Sequence, residues 1–202
     1  KLVNYWGFGY TPKKMITQPD SLKIDSLIAF VGLDKIQRIE LDDSVMYKKQ
    51  KTEVELDFSA VAKGYAVDLI AELLNQRGLT DHFIEIGGEI RAGGKTKYGY
   101  PWRSGIRDPS KEEINVHRYL NLTDLSIATS GNYENYHLNP ETGEKYAHTI
   151  NPKSGYPEKN SLLSASVFTP SCGRADALAT AFMASGFERS KQLLEQMPEV
   201  TA

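Results

Sequence analysis

Residues 57–68 read DFSAVAKGYAVD, which sets an acid, a lysine and a glycine at the start of a helical pattern. Downstream, Ala62, Tyr65, Ala66, Leu69, Ile70, Leu73 and Leu74 recur at three- and four-residue spacing, and Gly78 stands where a C′ glycine belongs. Ser59 is placed to act as N-cap, because its hydroxyl can satisfy an orphan amide of the first turn. Ahead of it, Val54, Leu56 and Phe58 alternate with Glu53, Glu55 and Asp57, the pattern of a half-buried strand. The stretch therefore reads as a strand running into a helix N-terminus, with Lys63 and Gly64 in the first turns. Amides point outward there and negative charge is welcome.

A lysine at that end of a helix meets the positive pole of the dipole. Two readings stand side by side. In one, Lys63 runs its stem to water and Gly64 relieves packing against a neighbour. In the other, helix amides and lysine together receive an anion such as a phosphate.

Bulk properties narrow the classes. The chain has 202 residues, 40% hydrophobic and 25% charged, as in an ordinary globular protein, with a length that supports a sizeable core. Its formal charge of −2, with basic residues scattered, carries no footprint for nucleic acid. The KKQK run at 48–51 reads as a solvated strand approach. No apolar stretch approaches the roughly 18 residues of a membrane span. Cys172, the single cysteine, has no internal disulfide partner, which leaves the compartment open. The chain opens KLVNYWGFGY and closes PEVTA, and it is expected to be a piece of a longer protein without its N- and C-terminal portions.

Further along, HFIEIGGEIRAGG (82–94) reads as a strand through Phe83, Ile84, Ile86 and Ile90, interrupted at Gly87-Gly88 by a bulge or a close approach. YPWRSGIRDP (100–109), LSIATSGNYENY (125–136), EKYAHTINPKSGYP (144–157) and SLLSASVFTP (161–170) each read as a strand, three of them ending in turns. CGRADALATAFMASG (172–186) is a small-residue helix closed by Gly186, and FERSKQLLEQM (187–197) an amphipathic one. Strands and helices without strict βαβ alternation predict an α+β fold, a mixed or antiparallel sheet with packed helices. A single domain over 1–202 is expected.

Three places carry possible chemistry. Asp176 and Thr180 lie four residues apart, so their oxygens share one helical face, and hard cations such as Mg²⁺ take oxygen ligands of this kind. Equally, an Asp near a helix start caps the dipole, and a helical Thr bonds the carbonyl four residues back. His148, in YAHTINP, is either a hydrogen-bonded structural residue or a group for proton transfer and phosphate pairing. Thr129, Ser130 and Gly131 offer hydroxyl and amide donors, or simply end a strand.

Each signal is weak by itself, but their order is specific. WGFG (6–9), DFSAVAKGYAVD (57–68), EIGGEI (85–90), ATSGNYENY (128–136), HTINPKSGYP (148–157) and ADALATAF (175–182) follow one another across almost the whole chain. In this the sequence resembles the ApbE-type FAD:protein FMN transferases, formerly described as thiamine-biosynthesis lipoproteins. The resemblance implies that Asp57, Lys63 and Ile150 contact FAD, and that the Ala60 carbonyl with the Asp176 and Thr180 side chains ligates Mg²⁺. His148 is the candidate catalytic residue for the proton of the attacking group. The sequence departs from the family pattern at Ala179, where some members carry a second aspartate. It departs again at Asn151, where Asp is common, and at Glu85, where Asn often stands.

The implied chemistry is Mg²⁺-dependent transfer of FMN from FAD to a threonine hydroxyl of an acceptor flavoprotein, with release of AMP. Two alternatives use the same site: a Mg²⁺-dependent FAD pyrophosphatase giving FMN and AMP, and a non-catalytic FAD-binding lipoprotein. The resemblance also implies a bacterial cell-envelope protein at the outer, periplasmic face of the cytoplasmic membrane, held by a lipid anchor upstream of Lys1.

Overall fold

The computed structural model describes residues 1–10, 16, 18–110, 115–133, 135–159 and 162–202; Glu134 and Ser161 of the quoted blocks lie outside them. In chain order the first elements are helices α1 (Leu2–Tyr5) and α2 (Ser21–Ile28), strands β1 (Ile36–Leu41) and β2 (Ser44–Lys49), and helix α3 (Ala62–Gln76). Strands β3 (His82–Ile86), β4 (Glu89–Gly93), β5 (Trp102–Arg107), β6 (Val116–Leu122) and β7 (Leu125–Gly131) follow. The chain continues through β8 (Tyr136–Leu138), β9 (Lys145–Ala147), β10 (Ser164–Thr169), α4 (Cys172–Ser185) and α5 (Phe187–Leu194). The expected α+β class holds, and every described strand pairing is antiparallel.

The chain divides into two compact units, residues 1–57 with 136–159 and residues 58–135 with 160–202. In the first, α1, α2 and the loop after β9 gather around Leu2, Trp6, Ile24 and Tyr146, all buried. Asp20 caps α2 by accepting from the Lys23 amide at 3.2 Å, which satisfies one first-turn donor. The Trp6 indole N–H donates to the Gly155 carbonyl at 2.8 Å, so its polar edge is satisfied while the ring fills the core. β1 and β2 form a hairpin, and so do β8 and β9.

The second unit is built on a four-stranded sheet ordered β10-β7-β4-β3. Alternation along each strand sends side chains to two different cores. Ala128 and Val167 face the helices and pack with Ala175, Ala179, Phe182 and Val200. Ile90, Ala92 and Ile127 face the other way and pack with Leu122 of the β5–β6 hairpin. Burying one side chain such as Phe182 is worth about 2–3 kcal/mol, so this two-sided burial dominates the unit's stability. α3 joins through Val67 and Ala71, packed on Ile84 and Cys172.

Helix α3 ends as its sequence predicts. Gly78 has φ +76°, the Leu79 amide donates to the Leu74 carbonyl and the Gly78 amide to that of Asn75, each at 3.0 Å, which is a Schellman motif.

Four local expectations change. The N-cap of α3 is Val61, with no side-chain cap, while Ser59 lies two residues ahead; the Phe58 carbonyl accepts from the Val61 and Ala62 amides instead. Residues 54–58 form no strand: Val54 is buried but Leu56 and Phe58 are exposed, and no described strand pairs with them to hold the alternation extended. Gly87-Gly88 does not bulge a strand but turns it: φ is +60° and +97°, and Ile86 pairs with Glu89 across a two-residue hairpin turn. Finally, the buried face of α3 is Gly64, Val67, Asp68 and Ala71, while Tyr65, Leu69, Ile70 and Leu73 are exposed.

Candidate functional site

The N-termini of α3 and α4 cross at a pair of glycines. A Cβ on Gly64 would lie 2.7 Å from the Cys172 carbonyl carbon and 2.8 Å from Asp176 Cβ, and one on Gly173 would lie 3.3 Å from the Tyr65 amide nitrogen. Gly64 thus serves close helix contact, the packing reading of its place in the sequence.

At this crossing each helix offers a carboxylate to the other's first turn. Asp176 Oδ2 accepts from the Gly64 amide at 3.0 Å. Asp68 accepts from the Cys172 and Gly173 amides, both at 2.9 Å, from Ser171 Oγ at 2.8 Å and from Arg91 at 2.6 Å. Both acids satisfy donors that a helix leaves orphaned, and both complement its dipole. Burial pushes the Asp68 carboxyl up, but the Gly173 and Cys172 amides, the Ser171 hydroxyl and Arg91 outweigh it, and the net shift is downward. Sequence reasoning missed Asp68, although its place four residues after Gly64, on the glycine-bearing face, was a usable signal.

Lys63 does not simply run to water. Its ammonium meets Glu89 at 2.7 Å, with 47% of the lysine side chain exposed and 2% of the glutamate's. Burial raises the Glu89 carboxyl, Lys63 opposes that, and the nearby Asp176 charge adds to it. Glu89 was also missed, because the glycine pair hid the fact that β4 begins there and turns it inward.

Asp176 is 3% exposed. Its Oδ1 takes no hydrogen bond among the described residues, so it keeps lone pairs for a further partner. Thr180 pairs with Ser130 Oγ of β7 at 3.0 Å, not with the carbonyl four residues back. Ala60 sits in the turn leading into α3. Among the described residues no group of three or more His, Cys, Asp or Glu could hold a metal. A carboxylate, a hydroxyl and a carbonyl are the kinds of oxygen donor that Mg²⁺ takes, since that ion keeps waters and borrows substrate phosphates to complete its shell.

The remaining predicted residues belong to the other unit. Asp57 is exposed and lines a cavity of about 310 Å³ with Phe30, Glu53, Leu56 and Pro152. Ile150 bridges to Pro157 and packs on the Trp6 cluster. His148 follows β9, edge-on to Phe8 at 6.3 Å, and Phe8 in turn stacks on His137 at 4.3 Å.

The chain matches the ApbE family over residues 1–202 and belongs to that family. It is 36% identical over 194 residues to the FAD:protein FMN transferase of Vibrio cholerae, covering 96% of this chain and 56% of that protein. It is also 36% identical over 196 residues to the Haemophilus influenzae protein of the same name, with the same coverage. The structure of the flavin transferase ApbE from Vibrio cholerae superimposes with a TM-score of 0.83 at 35% identity, over 96% of this chain and 60% of that one. The ApbE protein of Thermotoga maritima gives 0.83 at 28% identity, over 98% and 61%. The chain therefore spans little more than half the length of the relatives it matches.

Proposed function

We propose that the protein acts as a FAD:protein FMN transferase, moving FMN from FAD to a threonine hydroxyl of an acceptor flavoprotein. One observation carries this reading. Three family blocks far apart in sequence, 57–68, 85–90 and 175–182, supply Lys63, Gly64, Glu89 and Asp176 to one helix crossing.

In the proposed reaction the threonine Oγ attacks the phosphorus on the FMN side of the pyrophosphate. A new P–O bond forms, the bridging P–O bond breaks, and AMP departs with its electron pair. His148 accepts the threonine proton. Asp57, Lys63 and Ile150 hold FAD, with the Lys63 ammonium set against phosphate charge. Asp176, Thr180 and the Ala60 carbonyl would hold Mg²⁺, which would neutralise charge developing on the phosphates. On the same family grounds the protein works at the outer face of a bacterial cytoplasmic membrane, lipid-anchored. No described helix is long and apolar enough to cross a membrane.

The test is incubation of the full-length protein with FAD, Mg²⁺ and a threonine-bearing acceptor domain. The expected result is an acceptor whose mass rises by FMN less one water, with an equivalent of AMP. Free FMN and AMP without labelled acceptor would make the protein a pyrophosphatase, and intact FAD would make it a binding protein; either overturns the reading.

A further inference from the structure

Glu89 has no part in the reaction above, yet its setting is costly. It is the first residue of β4 and is turned toward the helices, with Oε2 lacking any hydrogen-bond partner among the described residues beyond its ion pair with Lys63. A buried carboxylate without its counter-charge is costly, so the pair is strongly tied together. Lys63 is the second residue of α3, where the helix dipole disfavours an ammonium, and its flexible four-carbon stem must lose rotamer freedom to hold one position. The stem passes beneath the glycine turn: a Cβ on Gly87 would lie 3.4 Å from Lys63 Cδ and 3.8 Å from Nζ. The buried acid anchors the ammonium and the side-chain-free turn leaves room for the stem, with about half of the lysine side chain still open.

We propose that Glu89 is a positioning residue, which with the Gly87-Gly88 turn holds the Lys63 ammonium ready for a phosphate oxygen of the bound dinucleotide. The inference rests on the reading that Lys63 contacts FAD. It makes a prediction of opposite sign to simple charge. A carboxylate beside an anion site repels the anion, so removing its charge would tighten binding if Glu89 only sat nearby. A positioning carboxylate, once removed, weakens binding because Lys63 must then be ordered by the ligand.

The experiment measures KM for FAD and kcat separately in the full-length protein for Glu89→Gln, Lys63→Met and the double variant, with thermal unfolding recorded for each. Lys63→Met is expected to weaken FAD roughly tenfold and Glu89→Gln roughly fivefold, mostly in KM. In the Lys63→Met background Glu89→Gln should change nothing further. Glu89→Asp, which keeps the charge but draws it back from Nζ by one methylene, should weaken FAD less than Glu89→Gln and only when Lys63 is present, and it serves if Glu89→Gln does not fold. Unchanged FAD affinity in Lys63→Met would overturn the FAD reading of Lys63, and this inference with it. Weaker FAD in Lys63→Met with unchanged or tighter FAD in Glu89→Gln would overturn the inference alone. An equal Glu89→Gln loss in both backgrounds would do the same, since Glu89 would then act without Lys63.

Discussion

The Gly64 amide donates to Asp176 Oδ2 at 3.0 Å, joining two helices whose contact residues stand 112 apart in sequence. The bond gives Asp176 a structural task, capping the first turn of α3, and leaves its second oxygen for the proposed cation. The same carboxylate is thus read as a cap and as a ligand, and the predictions below separate the two.

Gly64→Ala is expected to destabilise the fold by about 2–3 kcal/mol, because the new methyl meets the Cys172 carbonyl and Asp176 Cβ in a packed helix crossing. Gly78→Ala has open space around it and only a φ of +76° to strain, so it should cost about 1 kcal/mol. Urea unfolding of both variants checks the order, and a larger loss at Gly78 would contradict this account of the crossing.

Asp68→Asn removes a carboxylate that accepts from two helix amides, a hydroxyl and a guanidinium, and should cost about 3 kcal/mol at neutral pH. The folded-state pKa lies below the unfolded value of 3.8. The charge therefore stabilises the fold fully above 3.8, and that contribution is lost as pH falls through the lower folded value. The stability gap between wild type and Asp68→Asn should stay flat near neutrality and shrink in acid, which denaturant titrations across pH will show. A gap that widens in acid would be the wrong sign.

Much of this unit was legible in the sequence. The three- and four-residue spacing after residue 60 gave α3, and Gly78 and Gly186 marked the ends of α3 and α4. Legibility failed where a tertiary partner decides. Val54, Leu56 and Phe58 alternate like a strand, but alternation needs a ladder, and none is there among the described residues. The α3 stripe of Tyr65, Leu69, Ile70 and Leu73 looked buried, yet the crossing with α4 requires the smallest residues, so the Gly64 and Ala71 face turned inward. α2 and the β1–β2 hairpin passed unnoticed; no strand of that hairpin has a buried residue, so no apolar face announced it. Of the candidate site, Lys63, Asp176 and Thr180 were singled out from their helical positions and the ordered blocks, while Glu89 and Asp68 were not, because an acid's burial depends on which cation or amide the fold brings to it.

Cys172 is buried at the same crossing, its thiol donating to the Ile90 carbonyl at 3.5 Å. Burial pushes its pKa up to about 12, with the Asp68, Glu89 and Asp176 charges adding to the effect. Thiolate is the reactive form, so the native protein should resist alkylation by iodoacetamide at mildly alkaline pH and label only once unfolded. Labelling of the native protein at the rate of an exposed thiol would show that the crossing opens readily.

The most direct measurement concerns Asp176→Asn in the full-length protein, assayed for flavinylation of an acceptor domain across a Mg²⁺ titration. The amide oxygen can still accept from the Gly64 N–H, so the thermal midpoint should stay within a few degrees of wild type. The loss of the charged ligand should lower acceptor flavinylation by roughly a hundredfold or more at Mg²⁺ concentrations that saturate the wild type. Wild-type flavinylation with an unchanged Mg²⁺ dependence would show that Asp176 is a helix cap and nothing else.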